Sequence, residues 1–190
     1  MIPCHEAVQF LSDTRGDAIV VNTMTPSRYW KDITNNPDYD LPIAGGMGKA
    51  SSMALGLALS RPDKKIWCMD GDGSLLMNLG TLVTIAGQAP ANLVHFVFDD
   101  EAYQTTGGQP VPGAGIYDFK TIAQGAGYPR AYIFDDLEHF KTDLPTLLQD
   151  DGPIMVVLKI DYPDGGPPFS MANTKAAVAR LRTALAKDAK

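Results

Sequence analysis

Apolar residues along the chain gather in short runs that are separated by polar, glycine-containing turns. Short runs of this kind predict buried strands, and longer segments with helical spacing predict helices. The predicted strands cover residues 18–21, 41–44, 65–70, 92–98, 132–134 and 153–160. The predicted helices cover residues 3–14, 49–60, 74–86, 118–125, 136–149 and 175–189. Because strand and helix alternate throughout, we expect an α/β fold with a mostly parallel sheet and helices on both faces.

The length of the chain favours one domain. At 190 residues it is long enough for a substantial core, and we expect a single domain over 1–190 with an amphipathic C-terminal helix at about 175–189. Residues 22–27 are predicted to be a loop. Residues 101–117 are predicted to be a long loop rich in glycine, threonine and proline, and unstructured loops of that length are commonly functional.

A glycine turn links the predicted strand 65–70 to the predicted helix 74–86, in the sequence Gly71-Asp72-Gly73-Ser74. Turns of this kind point successive backbone N–H groups at one place, and the helix dipole adds partial positive charge there. The turn is therefore a candidate phosphate site. Asp72 would repel a bare phosphate, so its presence indicates a divalent cation between carboxylate and phosphate.

A second acidic stretch, Asp99-Asp100-Glu101, follows the predicted strand 92–98. One helix and one strand separate it from the glycine turn. In a parallel sheet this spacing brings the two strand ends together at the carboxyl edge, where such sheets bind ligands. Mg²⁺ commonly takes one or two carboxylates together with phosphate oxygens and water. Asp72 and Asp100 are therefore the predicted magnesium ligands.

Three motifs occur in a fixed order: Gly45-Gly46-Met47-Gly48, then GDGSLLMNLG at 71–80, then DDEAYQTTGGQ at 99–109. The chain that carries them resembles the thiamine-diphosphate enzymes, and among these the sulfopyruvate and phosphonopyruvate decarboxylases. The resemblance covers roughly residues 18–160. It implies the thiamine-diphosphate-binding fold, specifically the diphosphate-binding domain, with thiamine diphosphate and Mg²⁺ as cofactors.

The resemblance also implies residue roles. The Ala102 carbonyl would be a third magnesium ligand, whereas Asp99 would be a structural neighbour. At the position of Asp100 the family usually has asparagine, and aspartate adds negative charge beside the diphosphate. The residues implied to bind the cofactor are Thr25, Gly45, Gly46, Met47, Gly71, Gly73, Ser74 and Thr105.

Two of these residues are implied to set the cofactor's shape. In the family a bulky apolar residue, here Met47, lies beneath the cofactor and bends its two rings into a V. A backbone carbonyl, here that of Gly45, accepts a hydrogen bond from the 4′-amino group. The cofactor then acts as its own base.

Substrate contacts are implied more weakly. Arg28 follows Thr25-Pro26-Ser27, and related decarboxylases show a Ser-Arg or Ser-Lys pair similar to Ser27-Arg28. The guanidinium of Arg28 suits a sulfonate or phosphonate. Thr106 and Gln109 lie in the segment expected to cover the substrate. A lone arginine is more often a surface residue.

Composition limits the classes of partner. The net charge of −6 argues against binding to nucleic acid or to anionic membranes. No leader peptide and no long apolar span are predicted. The two cysteines form no CxxC motif, so we expect a reducing, cytoplasmic location.

Thiamine-diphosphate enzymes need a glutamate that activates the cofactor's pyrimidine ring. The three glutamates, Glu6, Glu101 and Glu138, do not match its context. The resemblance therefore implies a separate pyrimidine-binding (alpha) subunit that supplies the glutamate, in a homodimer or higher hetero-oligomer of at least α₂β₂ composition.

The function implied is non-oxidative decarboxylation of a small anionic 2-oxo acid to an aldehyde, with this chain as the beta subunit. Two alternatives remain open. One is an acetolactate-synthase-like carboligase subunit. The other is a catalytically silent structural or regulatory module. Aspartate at position 100, where the family usually has asparagine, would be consistent with that hypothesis.

Overall fold

The computed structural model describes residues 1–163, 165–168 and 170–188. Nine strands and eight α-helices lie in this part of the chain. The strands are β1 (Ile2–Pro3), β2 (Ile19–Asn22), β3 (Asp40–Pro42), β4 (Ile66–Gly71), β5 (Leu93–Asp99), β6 (Ala102–Tyr103), β7 (Gln109–Pro110), β8 (Arg130–Phe134) and β9 (Ile154–Asp161). The helices are α1 (Cys4–Thr14), α2 (Met24–Ile33), α3 (Ala50–Ser60), α4 (Asp72–Leu76), α5 (Gly80–Gln88), α6 (Phe119–Ala126), α7 (Leu137–Leu147) and α8 (Thr174–Asp188).

Seven of the strands form one parallel sheet. Its central order is β3-β2-β4-β5-β9. On the side away from β5, β9 pairs with two strands: the first part of β9 pairs with β8, and the end of β9 pairs with β1. β6 and β7 form a separate two-stranded antiparallel sheet. Since every pairing in the main sheet is parallel, the carboxyl ends of its strands lie along one edge.

Helices cover both faces of the sheet, as predicted. One face carries α3, α5, α6 and α8, which bury residues such as Leu82, Phe119 and Leu181 against Val21 and Val97. The other face carries α1, α2 and α7 over an aromatic core that includes Trp30, Trp67, Phe96, Phe98 and Phe140. The strands between them are buried on both sides and read as continuous apolar runs. The predicted fold class is confirmed.

Local signals explain several boundaries. The carboxylates of Asp118 and Asp136 accept hydrogen bonds from the backbone N–H groups of Lys120 and His139, both at 2.9 Å, and so cap α6 and α7. The predicted C-terminal helix is α8; the predicted end at Ala189 lies outside the described residues.

Three predictions of local structure were wrong. Residues 24–27 are not loop but the start of α2, because Pro26 lies in its first turn, where proline is tolerated. The predicted helix 74–86 is two helices, α4 and α5, separated at 77–79. The segment 101–117 is not a structureless loop, since it contains the β6–β7 hairpin and a turn of 3₁₀-helix at Gln104–Thr106.

None of the helices in the described part of the chain combines the length and apolar composition that a bilayer crossing requires.

Candidate cofactor site at the carboxyl edge of the sheet

The carboxyl edge of the sheet brings together four segments that are distant in sequence. Gly71, the last residue of β4, pairs with Phe98 of β5, so the residues after them lie side by side. A cavity forms there between the β4–α4 turn, the start of α2, the loop before α3 and the β6 region. It is lined by Met24, Thr25, Met47, Gly71, Asp72, Gly73, Ser74, Ala102, Tyr103, Gln104 and Thr105. Eight of the predicted site residues are among them.

Neighbouring side chains lie close to the two glycines of the turn. A Cβ atom on Gly71 would lie 3.3 Å from the Thr25 hydroxyl oxygen, and one on Gly73 would overlap the ring of Tyr103. Val111 closes the same side of Gly73, at 3.2 Å from such an atom. Any larger residue at position 73 would displace the tyrosine ring that covers the turn.

Asp72, Asp99, Asp100 and Glu101 form a group that we call the strand-end carboxylates. Burial, together with the nearby charge of Asp100, raises the pKa of Asp72 to about 7. Burial likewise raises the pKa of Asp100 to about 6. Both groups are therefore costly to ionise when no cation is bound. A divalent cation between them would remove that cost.

Asp100 has no hydrogen-bond partner among the described residues, although both of its carboxylate oxygens are buried. Gln104 lies near enough to lower its pKa slightly, but no donor reaches hydrogen-bond geometry. Asp72 differs, because its Oδ1 accepts from the backbone N–H of Gly73 at 2.5 Å. An unpartnered buried carboxylate beside a second one is the donor set that Mg²⁺ takes.

Two side chains that the sequence did not indicate hold the strand-end carboxylates in place. The Tyr117 hydroxyl donates to Asp99 Oδ1 at 2.9 Å and lies 3.4 Å from Asp72 Oδ2. Lys159 Nζ lies 2.8 Å from Asp99 Oδ2 and 3.1 Å from Glu101 Oε1. Asp99 is thus engaged by Tyr117 and Lys159, and Lys159 supplies local positive charge; the role of Asp99 as a structural neighbour of the site stays a prediction.

The loop that carries Met47 is held by hydrogen bonds to both backbone polar groups of one residue, Gly48. The N–H of Gly48 donates to the Ser74 hydroxyl at 2.9 Å, and the Gly48 carbonyl accepts from the Asn78 side chain at 2.9 Å. Gly48 has φ +72°, and a Cβ atom there would meet Asn78 Cβ at 3.0 Å. The break between α4 and α5 therefore places Asn78 where it holds this loop.

Two non-glycine residues at the strand ends have left-handed backbone. Met24, just after β2, has φ 51°, and Glu101, just after β5, has φ 59°. Such conformations cost of order 1–3 kcal/mol and concentrate at functional sites. Their positions on either side of the β4–α4 turn agree with a site at this edge.

The remaining predicted residues lie outside the cavity lining. Gly45 is exposed with φ +63°, and Gly46 is packed against Ile43. Arg28 is buried, and its Nε donates to the Pro167 carbonyl at 2.6 Å, with the guanidinium over the Tyr162 ring. Arg28 is therefore engaged with the segment after β9.

Thr106 and Gln109 are exposed and contact each other. The Gln109 amide donates to the Thr106 carbonyl at 2.9 Å, and the Thr106 hydroxyl donates to Gln109 Oε1 at 3.2 Å. Together they close the tip of the β6–β7 hairpin. The predicted substrate roles of Arg28, Thr106 and Gln109 stay predictions.

The residues present fit a diphosphate and its cation. Asp100 supplies buried oxygens with no hydrogen-bond partner among the described residues, Asp72 supplies a second carboxylate, and Gly71 and Gly73 place no side chain of their own between backbone and ligand. The family model described as "Thiamine pyrophosphate enzyme, C-terminal TPP binding domain" matches residues 21–158, which include all four segments of the cavity. Thiamine pyrophosphate is another name for thiamine diphosphate.

The chain belongs to this family.

Curated relatives agree with the match. The chain is 38% identical over 155 residues to the sulfopyruvate decarboxylase subunit beta of Methanothermobacter thermautotrophicus, covering 81% of this chain and 80% of the relative. It is 36% identical over 152 residues to the phosphonopyruvate decarboxylase of Streptomyces viridochromogenes, covering 80% of this chain but only 38% of that relative. The chain therefore spans most of the first relative and less than half of the second.

The fold also matches a solved structure. An X-ray structure from Mycobacterium smegmatis, described as a thiamin diphosphate-dependent enzyme, superposes with a TM-score of 0.70 at 24% identity, covering 86% of this chain and 32% of that one. This likeness shows the fold. With the family match, it confirms the predicted thiamine-diphosphate-binding fold, and the family and its cofactor are those that the motif order indicated.

Proposed function

We propose that this chain is the diphosphate-binding beta subunit of a two-subunit decarboxylase that converts a small anionic 2-oxo acid to an aldehyde. The proposed substrate resembles sulfopyruvate or phosphonopyruvate, because relatives named for those activities share 36–38% identity with this chain. The observation that carries the proposal is the cavity at the carboxyl edge, which assembles Asp72, Met47 and Thr25 beside the glycine turn. A cytoplasmic location is part of the same proposal.

In this proposal Asp72, Asp100 and the Ala102 carbonyl hold Mg²⁺. Thr25, Thr105, Ser74 and the glycine turn would bind the diphosphate. The Gly73 N–H is satisfied by Asp72 Oδ1, so it becomes available to a phosphate oxygen when the carboxylate turns toward an ion. When bound, thiamine diphosphate supplies the nucleophile for the keto carbon and the electron sink for loss of CO₂.

The chain's own residues would orient and enclose the cofactor. Met47 lines the cavity on a loop held by Ser74 and Asn78, which suits the predicted role of a fixed apolar support. Gly45 and Gly46 belong to the same loop. Tyr103 and Val111 cover the glycine turn and would keep water from it. A water-poor site favours decarboxylation, since charge is neutralised as the carboxylate leaves.

The activating glutamate would come from an alpha subunit. Glu101, the glutamate nearest the site, is engaged by Lys159 at 3.1 Å and by the Gly115 N–H at 3.0 Å. Glu138 pairs with Lys141 on α7, and Glu6 lies on α1. A partner that completes the site at this edge explains why no glutamate of this chain is free there in the described residues.

The test is purification of the tagged chain from its native cells under mild conditions. We expect a co-purifying second subunit, bound thiamine diphosphate, and CO₂ release from sulfopyruvate or phosphonopyruvate. The same complex carrying Asp72→Asn should release CO₂ at least about 100-fold more slowly, as expected when a metal ligand is removed.

Other outcomes would overturn the proposal. A homo-oligomer without cofactor would indicate a silent module. Bound cofactor with formation of an acetolactate-type product, and no aldehyde, would indicate a carboligase.

A further inference from the structure

Three buried side chains of different chemistry lie close together on one face of the sheet, on β4 and β5, a few residues before the turn that carries Asp72. Cys68 and Asp70 are two residues apart on β4, and His95 pairs with Cys68 across the β4–β5 register. The sulfur, a carboxylate oxygen and a ring nitrogen all lie within 4.8 Å of one another. All three residues are 0% exposed. We call them the mid-sheet triad.

The oxygen and nitrogen atoms of the mid-sheet triad's side chains have no hydrogen-bond partners among the described residues. Within the described residues, neither carboxylate oxygen of Asp70 and neither ring nitrogen of His95 has a hydrogen bond. The Nε2–Oδ2 separation between them is 3.9 Å, too long for one. Ser74 lies close to Asp70 but does not reach hydrogen-bond geometry. Each such atom costs about 1–3 kcal/mol in a packed core, so four together indicate an additional ligand.

The chemistry of the mid-sheet triad suits zinc better than magnesium. A thiolate, an imidazole and a carboxylate are the side chains that Zn²⁺ takes, whereas Mg²⁺ takes oxygens. A thiolate and a carboxylate together carry two negative charges, so a divalent ion with a neutral imidazole leaves the core electrically neutral. Bonds of about 2.0–2.3 Å require the three ligand atoms to approach one another by roughly 1 Å, within the reach of side-chain rotation.

We propose that Cys68, Asp70 and His95 form a structural Zn²⁺ site that joins β4 to β5 beneath the glycine turn. Tyr128 is the neighbour that would complete it. Its hydroxyl is buried near Cys68 and also lacks a hydrogen-bond partner among the described residues, so it can donate to the sulfur or occupy the fourth position. The site is independent of the cofactor and of the proposed decarboxylation.

The test uses the metal alone. Because the triad is fully buried, the ion has to be present while the chain folds. The chain would be produced with a tag free of histidine in zinc-supplemented medium, and its zinc measured by mass spectrometry. In parallel, denatured chain would be refolded with Co²⁺, whose bond to a thiolate gives a near-ultraviolet charge-transfer band.

We expect about one zinc per chain and a thiolate–cobalt band, with the thermal midpoint falling when the chain is refolded without the ion. Cys68→Ala and His95→Gln should lower the zinc content to below about one tenth per chain, whereas Asp72→Asn should keep it. The cobalt band excludes binding at Asp72 and Asp100, which offer only oxygen.

Two results would overturn the site. One is wild-type chain that folds without zinc, gives no cobalt band and has a midpoint unaffected by the ion; Asp70 and His95 would then share a proton. The other is Cys68→Ala that retains full zinc. The wild-type refolding measurement decides the question even if both triad variants fail to fold.

Discussion

The strand-end carboxylates and the mid-sheet triad lie on the same two strands, with Asp70 and Asp72 only two residues apart. At the strand ends, Tyr117, Lys159 and the Gly73 N–H contact the carboxylates of Asp99, Glu101 and Asp72, whereas Asp100 has no hydrogen-bond partner among the described residues. In the mid-sheet triad, neither the carboxylate oxygens of Asp70 nor the ring nitrogens of His95 have a hydrogen-bond partner within the part of the chain that the structure describes. On the two proposals above, the strand-end site takes a ligand that can leave, whereas the mid-sheet triad takes an ion that is enclosed during folding.

The largest expected effect is on cofactor affinity, and it should differ between Asp72 in the glycine turn and Asp70 in β4. In the complex with the partner subunit, Asp72→Asn should weaken Mg²⁺-dependent binding of thiamine diphosphate about 1,000-fold, or about 4 kcal/mol. Asp70→Asn, the same chemical change two residues away, should change it by less than about fivefold. Titration calorimetry measures both. Equal losses would show that the two groups act as one site.

The second effect concerns stability against pH without divalent ions. The folded-state pKa of Asp72 is raised from 3.8 to about 7. Ionising it therefore costs the folded state increasingly as pH rises from about 4 to 7, and fully above that. Asp72→Asn should be more stable than wild type by about 4 kcal/mol at pH 8 and nearly equally stable at pH 4.

Urea unfolding in the presence of a chelator measures this difference. Addition of Mg²⁺ should reduce this difference in the free energy of unfolding at pH 8, because the ion stabilises the wild type and not Asp72→Asn. A difference that stays constant from pH 4 to pH 8 would show that Asp72 does not bear the cost.

The third effect tests whether the unpartnered Asp100 is a metal ligand. Asp100→Ala should weaken Mg²⁺-dependent cofactor binding about 30-fold, because it removes the oxygen. Asp100→Asn keeps an oxygen and removes one negative charge, so its affinity should stay within about tenfold of wild type. If both variants bind as wild type does, Asp100 is not a ligand. A large gain for Asp100→Asn would instead favour the silent-module reading.

The smallest effect concerns the support of the Met47 loop. Asn78→Ala removes the hydrogen bond to the Gly48 carbonyl and should lower the free energy of unfolding by about 1 kcal/mol. Turnover of the complex should fall about 3- to 10-fold with little change in cofactor affinity, because the loop is displaced rather than lost. Met77→Ala, at an adjacent residue that is 62% exposed, is the control and should change neither.

The sequence predicted the sheet and the position of the cavity, because both depend on local patterns. Strand runs, the glycine turn and the acidic strand end are continuous in sequence, and parallel pairing brings them together. The break of helix 74–86 was not predictable in the same way. The break puts Asn78 within hydrogen-bond distance of the Gly48 carbonyl, a contact between residues 30 positions apart that only the folded chain reveals.

The compensating residues were also missed for a physical reason. Tyr117 and Lys159 reach Asp99 from 18 and 60 residues away, and neither lies in a motif. Arg28 was indicated by its sequence neighbours, but the hydrogen bond from its Nε to the Pro167 carbonyl was not, because the two residues are 139 positions apart. Its predicted substrate role stays a prediction.

The position of β9 has a consequence for synthesis of the protein. Among the described strands β9 is the last to leave the ribosome, yet it pairs with β5 on one side and with β8 and β1 on the other. Until residue 161 emerges, the nascent chain exposes the open edge of β5, an apolar strand able to pair with other chains. Lys159 arrives on the same strand, so the strand-end carboxylates repel one another during that interval. Slow translation after β5 would therefore favour aggregation.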